Sequence, residues 1–544
     1  MKNKKYIFVI GGVLSGLGKG IAVSSIGMLL KSRGFRVTAL KIDPYVNVDA
    51  GTMNPTEHGE VFVTQDGLET DQDIGNYERF FNTDLTRDNY MTTGAVYQSV
   101  IEKERNLEYK GRCVEVVPHI PEEVIRRIKL AGQKTKSDII LIEIGGTVGE
   151  YQNLLFLEAA RMMKLEMPED VQHILVSYLP IPSKIGEMKT KPTQYAVRTL
   201  NSAGIQPDFL LCRSEKPLDK PRSEKLATFC NMSSSCVFSA VDVDNIYKVP
   251  LNFDKDKLPD RILKKFNLKP RGKNLRFWKQ LVNKMTVAKK KVRIGIVGKY
   301  FATGNFTLAD SYISVIEAIR HAAWSEGYQP ELIWLNSEEY EKNPALVSDL
   351  KSYDGVIVPQ GWGSRGSEGK ISVIKFLREK KIPYLGLCYG MQMAVIEFAR
   401  NVAGLKKANS LESDPNTPHP VIYIMPEQEK YLAKKQYGGT IRLGDWPCRI
   451  KPKTRTAQAY GPMSKVVQER HRHRYEFNNT YRKKLESKGL VISGTSPDGK
   501  LVEAIELPDH PFFVGSQFHP EYQSRPEKPH PLFVEFVKAS TKKS

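Results

Sequence analysis

A chain of 544 residues exceeds what one hydrophobic core can serve and implies about two to four domains. Its 40% hydrophobic and 26% charged residues are those of an ordinary globular protein. No run approaches the roughly 18 consecutive apolar residues of a membrane span.

The chain enters a strand pattern almost at once, which leaves no room for a signal peptide. Six cysteines without paired metal spacing read as reduced thiols of a cytoplasmic protein. The net charge of +20 fits a nucleic-acid partner, several polyanionic small ligands or a generally basic surface. The lysines are spread along the chain rather than gathered in one arm, which speaks against nucleic acid.

The first element is a strand over 6–10, followed by the glycine-rich loop Gly11–Gly20 and a helix over 21–32 that Gly34 can end. Strand, glycine loop and helix form a phosphate cradle, with backbone N–H groups and the helix dipole facing the anion and Lys19 adding charge. It departs from the usual phosphate-loop spacing. Val13 stands where the first glycine belongs, and Gly20 replaces the hydroxyl residue that would hold Mg²⁺. Metal ligands must then come from elsewhere.

Further strands are predicted at 36–42, 138–144, 172–178 and 208–212, alternating with amphipathic helices. The pattern predicts a doubly wound parallel sheet whose site lies at the strand C-termini. Lys41 ends the second strand, Asp73 lies in the acidic stretch 69–75, and Glu143 closes an inner apolar run. Residues 269–291 read as a linker, part helical, between Lys269-Pro270-Arg271 and Lys289-Lys290-Lys291. A second α/β pattern then starts, with strands at 292–298, 355–358 and 383–387. Thr541–Ser544 are expected to fray.

In that second half, Gly386-Leu387-Cys388-Tyr389-Gly390 joins an apolar run to a helical one. Glycines on both sides permit a nucleophile elbow, and a thiol at a helix N-terminus is activated by the dipole. A buried structural cysteine is the alternative. His519 and Glu521 stand two apart, so in extended chain the carboxylate can orient the imidazole toward Cys388.

With these residues, and with Asn409–Glu412, Gly438–Gly444 and His471–Glu476, residues 292–540 resemble a class I glutamine amidotransferase. Together with 1–268 the chain resembles the CTP synthase family, whose first domain is similar to dethiobiotin synthetase. A cobyrinic-acid or dethiobiotin-type synthetase, a filament-forming relative without catalysis and a basic nucleic-acid-binding NTPase are the rival readings. The stretch Lys189–Gln194 and the order of the domains favour the first.

The resemblance implies ATP-dependent amination of UTP to CTP by a cytoplasmic homotetramer, sometimes filamentous, with ammonia released from L-glutamine. It implies a catalytic set of Cys388, His519 and Glu521, and phosphoryl transfer assisted by Lys19 and Lys41. ATP would be bound by Gly16, Leu17, Gly18, Lys19, Gly20, Ile21, Asp73, Asp242 and Val243. Mg²⁺ would be held by Asp73 and Glu143. UTP or CTP would be bound by Ser15, Glu150, Tyr151, Gln152, Lys189, Thr190, Lys191, Pro192, Thr193, Gln194 and Lys225. Glutamine would be bound by Gly361, Tyr389, Gly390, Met391, Gln392, Glu412 and Arg474. His58 would gate ammonia, GTP would activate, and CTP would inhibit as product; no nucleic acid or membrane enters.

Three departures from the family pattern stand out. Pro359-Gln360-Gly361-Trp362-Gly363 replaces Pro-Gly-Gly-Phe-Gly in the loop whose N–H groups, with that of Tyr389, the resemblance assigns to the oxyanion hole, so that loop carries a side chain at Gln360. Tyr389 replaces leucine and is expected to make the glutamine pocket more polar. Gly149-Glu150-Tyr151-Gln152-Asn153 replaces Gly-Asp-Ile-Glu-Ser, and the lost carboxylate at Gln152 predicts altered feedback by CTP.

Overall fold

The computed structural model describes residues 4–300, 302–303, 306–307, 309–425, 428, 430–431, 434 and 438–542. Of the expected frayed end, Lys543 and Ser544 lie outside these residues. The chain divides into two compact units. The first comprises residues up to Asp49 and Asn76–Val282; the second comprises Ala50–Gly75 and the chain from Asn283 onward.

The first unit is built on seven parallel strands in the order Tyr90–Thr92, Val37–Asp43, Ile139–Ile144, Lys5–Gly11, Val171–Tyr178, Phe209–Ser214 and Val237–Val241. The inner strands read as continuous apolar runs because both their faces are buried. Phe8, Ile10, Leu40, Ile42, Ile140 and Ile142 share one face with Val124, Ile128, Phe156 and Met163 from the helices. Ile7, Val9, Ala39 and Leu141 on the other face are equally buried. The helix Lys19–Ser32 packs there, where a side chain at Gly27 would run into Phe81 and Leu141. All five strands expected in this half are present. The outermost two, Tyr90–Thr92 and Val237–Val241, are three and five residues long and give too short a pattern to read.

The second unit carries a nine-stranded sheet. Its parallel part runs Tyr328–Asn336, Lys290–Gly298, Gly355–Val358, Tyr384–Leu387, Phe513–Ser516. It continues antiparallel through Val502–Glu506, Val491–Thr495, Arg442–Ile450 and Val466–His473. The antiparallel half escapes an apolar-pattern search because it buries charge: Arg470, His471 and Glu503 are fully enclosed. Between the two patterned halves, the helix Arg276–Val287 supplies the expected helical part of the linker stretch.

The segment Ala50–Gly75 belongs to this second unit although it lies early in the sequence. Its hairpin, Val61–Val63 paired with Glu69–Asp71, is tied in by backbone and charge. Asp445 N–H donates to Gln65 O (2.8 Å), Arg470 to Val63 O (3.1 Å), and Tyr522 Oη to Val61 O (2.9 Å). Arg472 pairs with Glu69 at 2.8 Å, with both side chains buried.

Candidate active sites

In the first unit the loop after Lys5–Gly11 leaves the central strand between Ile139–Ile144 and Val171–Tyr178, at the C-terminal edge of the sheet. That is the position where open α/β sheets bind ligands. Gly16 and Gly18 take positive φ (71° and 77°), which a side chain would strain. Val13 also has φ 65°, an unfavourable state for a β-branched residue and a consequence of the missing glycine. Lys19 is buried and its Nζ donates to Gly146 O at 2.8 Å. The lysine thus lies over the loop that follows Glu143.

Beside the end of the glycine-rich loop a cavity is lined by Leu17, Gly18, Ile21, Arg213, Asp242 and Val243 among others, so these members of the expected ATP set share one space. Arg213 was missed by sequence reasoning. It pairs with Asp242 at 2.9 Å, and its Nη1 lies at 3.5 Å from Gly16 O. Its place at the end of an apolar strand, Phe209–Ser214, is the signal that could have found it.

Glu143 is buried and held from two sides: Lys41 Nζ donates to Oε1 at 2.9 Å, and the enclosed Tyr77 hydroxyl donates to Oε2. Lys41 and Glu143 are register partners on adjacent strands, which places both charges at the strand ends. Tyr77, too, was not singled out by the sequence. Asp73 lies in the first turn of the helix Gln72–Phe81, and its N–H donates to Asp71 Oδ1 at 2.8 Å. It falls in the second unit, Glu143 in the first.

The expected uridine positions all lie in the first unit. Ser15 is exposed on the glycine loop. Thr193 is buried against Ser177, with their hydroxyls 2.8 Å apart, in the first turn of the helix Lys191–Ser202, whose Ala196 abuts Gly12. Thr190 accepts from Gln194 at 3.1 Å, while Pro192 occupies the first helical turn. Lys189 pairs with Glu187 and Lys191 is exposed. Lys225 is exposed on Lys220–Phe229, one turn from Arg222, which donates to Met188 O at 3.1 Å. Glu150 turns inward: Oε1 accepts from Thr147 N–H (3.0 Å) and hydroxyl (2.6 Å), and Oε2 from Gln152 (2.8 Å). Tyr151 beside it is 91% exposed.

In the second unit Cys388 follows Tyr384–Leu387 and caps the helix Tyr389–Asn401 with φ 51°, ψ −100°, the strained elbow expected of a nucleophile. Its flanking glycines are demanded by space. A Cβ at Gly390 would lie 2.0 Å from Val358 O, and one at Gly386 would lie 2.3 Å from Tyr384 Oη. Gly390→Ala should therefore cost at least about 1–3 kcal/mol and shift the helix that presents Tyr389 N–H. A Tm unchanged from the parent would contradict this.

His519 and Glu521 meet as expected, Nδ1 to Oε1 at 2.7 Å, both buried. The backbone route differs from the extended chain that the spacing predicts. The strand ends at Ser516, His519 caps a 3-10 turn, and Glu521 lies within that turn. Burial disfavours a charged ring, but the Glu521 carboxylate and then Cys388 overcome it and raise the His519 pKa to about 10. Tyr522 stacks on the imidazole, with centroids 4.9 Å apart and planes 9° apart, and Phe62 of the hairpin packs edge-on against Tyr522. Gln517 Nε2 lies 3.6 Å from the Cys388 sulfur.

The facing loop is anchored through its backbone. Gly363 N–H donates to Glu412 Oε1 at 2.7 Å, and Trp362 N–H to Tyr300 Oη at 3.1 Å. Lys299 donates to both Trp362 O and Gly363 O, the latter at 3.0 Å. Gln360 reaches Glu60 at 3.4 Å, so its side chain is directed to the hairpin segment. The Tyr389 hydroxyl is spent on Gly363 O at 2.8 Å and the ring is buried, which accounts for the added polar atom.

Burial raises the Glu412 pKa against the opposing Gly363 N–H and Lys299. Arg474 is held by Gln428 and Thr440, each at 3.0 Å. Met391 and Gln392 sit in the first turns after the elbow, Gln392 donating to Tyr475 O at 2.8 Å. Gly361 packs against Lys299, and His58 lies 3.6 Å from Asp71.

Comparison with known proteins agrees with both halves. A family model described as CTP synthase N-terminus matches residues 5–268, and one described as glutamine amidotransferase class-I matches 307–539. A CTP synthase of Carboxydothermus hydrogenoformans is 52% identical over 539 residues, 99% of each chain. One of Synechococcus sp. (strain JA-3-3Ab) is 50% identical over 539 residues, 98% of this chain and 97% of the relative. A solved glutaminase domain of a Trypanosoma brucei CTPS with bound acivicin is 36% identical, covering 46% of this chain and 95% of that one, with a TM-score of 0.42. With a phosphate loop in one unit, a Cys–His–Glu set in the other and half-identical relatives end to end, the chain belongs to the CTP synthase family.

Proposed function

We propose that this chain is a glutamine-hydrolysing ligase that aminates UTP to CTP at the expense of ATP, with the residue roles set out above. The observation that carries the reading is the assembled Cys388–His519–Glu521 set in a chain that also bears a lysine-containing phosphate loop.

In the glutaminase unit Cys388 sulfur attacks the amide carbon of glutamine while the His519 imidazolium, kept charged by Glu521, supplies the proton that releases ammonia. Water then frees glutamate. Within the 359–363 loop the N–H groups of Gln360 and Gly361, whose neighbours are already bonded, together with that of Tyr389 receive the negative oxygen. Glu412 meets the amino group and Arg474 the carboxylate of the substrate.

In the synthetase unit the UTP 4-oxygen takes the γ-phosphoryl group of ATP, ammonia attacks C4, and phosphate departs with that oxygen. Lys19 and Lys41 stabilise charge spreading over the transferring group. The carboxylates of Glu143 and Asp73 are hard oxygen donors, which suits Mg²⁺, and Tyr77 and Lys41 keep that of Glu143 oriented. Such an ion would neutralise phosphate charge when bound. GTP activation, CTP feedback, tetramer assembly, a cytoplasmic location and a gating role for His58 complete the reading, supported by family resemblance. Among the described residues no helix is long and apolar enough to cross a membrane.

The test is CTP formation from UTP and ATP with either glutamine or ammonium, each with and without GTP. Both nitrogen sources should serve, and GTP should raise only the glutamine rate. Absence of CTP with ammonium would refute the synthetase assignment. Gln152 donates a hydrogen bond to the Glu150 carboxylate, so Gln152→Glu should set two carboxylates side by side and shift the CTP inhibition constant by at least about threefold. An inhibition curve superimposable on the parent's would refute that role.

A further inference from the structure

We propose that Lys370 is a positioning residue for glutamine hydrolysis: it holds the Pro359 carbonyl so that the N–H of the same peptide unit, on Gln360, is presented to the developing oxyanion. This rests on Cys388 being the nucleophile.

Lys370 lies in the first turns of the helix Ser367–Lys380 and is 0% exposed. Its Nζ donates to Pro359 O at 3.2 Å and stands 5.0 Å from the centre of the Tyr389 ring. No carboxylate pairs with it among the described residues. Burying an amine this way is costly, and a methionine of similar length would fill the space without that cost. Burial pushes the amine well below the ordinary lysine value, Lys299 adds to the effect, and Cys388 opposes it. A neutral amine still donates a hydrogen bond.

The geometry gives that bond a use. A trans peptide is planar, with its C=O and N–H pointing in opposite directions. Fixing the Pro359 carbonyl on one side therefore fixes the Gln360 N–H on the other. The rest of the loop is tied down by Tyr300, Lys299 and Glu412, which take up the N–H and C=O of Trp362 and Gly363. The N–H groups of Gln360 and Gly361 have no hydrogen-bond partner among the described residues. Gln360 stands where the family pattern has glycine, and Lys370 restrains the peptide that carries it.

The test compares K370M and K370Q in the full-length chain. K370M should lower kcat for glutamine hydrolysis by about 10–100-fold while KM stays within about twofold. Affinity for glutamate γ-semialdehyde, whose adduct with the thiol carries the oxyanion, should fall by the same factor. Alkylation of Cys388 by iodoacetamide should keep its rate, and K370Q, able to donate to Pro359 O, should recover part of kcat.

An unchanged kcat in K370M, an unchanged aldehyde affinity, or a K370Q no better than K370M would overturn the proposal. CTP formation from ammonium reports folding; if K370M loses it, K370Q is compared with K370L. A parent chain without glutaminase activity would instead refute the role of Cys388 itself.

Discussion

Cys388→Ala is expected to abolish glutamine-dependent CTP formation, by more than about a thousandfold, and to leave ammonium-dependent formation near the parental rate. The thiol is 5% exposed and sits on a strained backbone that no structural cysteine needs. Alanine fits the same space, so the elbow should survive and only the attacking atom is lost. Steady-state rates with each nitrogen source provide the check. Retention of glutamine-dependent activity would place the nucleophile elsewhere, and loss of both activities would mean that the substitution damages more than one site.

Glu521→Gln should lower glutamine hydrolysis by about 10²–10⁴-fold, since loss of the orienting carboxylate in a related triad costs up to about 10⁴. The same substitution should alter the pH dependence of stability. The His519 pKa is raised in the fold to about 10, from an unfolded value of about 6.5. Its contribution to stability is thus complete below about pH 6.5 and is lost as pH rises through about 10. Without the carboxylate, Cys388 alone opposes burial, and the balance at the ring shifts toward the neutral form. The gap in Tm between parent and Glu521→Gln should be widest at or below pH 6.5 and should narrow toward pH 10. A gap that grows with pH would contradict the charged His519. Melting curves across that range, with hydrolysis rates at neutral pH, test both parts.

What could be read from the sequence followed from local rules. Gly11–Gly20 and Gly386–Gly390 announce themselves because glycine is required by backbone angle or by space within a few residues. The inner strands are legible because burial on both faces makes continuous apolar runs. The family resemblance then supplied roles for residues such as Lys41 and Arg474 that no local pattern marks.

Other features depend on partners far away in sequence. Arg213 meets Asp242 and Tyr77 meets Glu143 only once the sheet is formed. The antiparallel half of the second sheet hides its strands behind buried charges such as Arg442 and Glu503, which pair at 2.8 Å. The hairpin around Phe62 reads as part of the first half, yet it supports Tyr522 behind His519. His519 and Glu521 meet as the two-residue spacing predicts, but through a 3-10 turn rather than extended strand.

The account as a whole requires that the nitrogen freed at Cys388 be the one installed on the pyrimidine. The most direct measurement supplies UTP, ATP, Mg²⁺, GTP and glutamine labelled with ¹⁵N at the side-chain amide, and reads the label in CTP by mass spectrometry. One labelled amino group should appear at C4 for each glutamate released. Glutamate formed without labelled CTP would contradict the account.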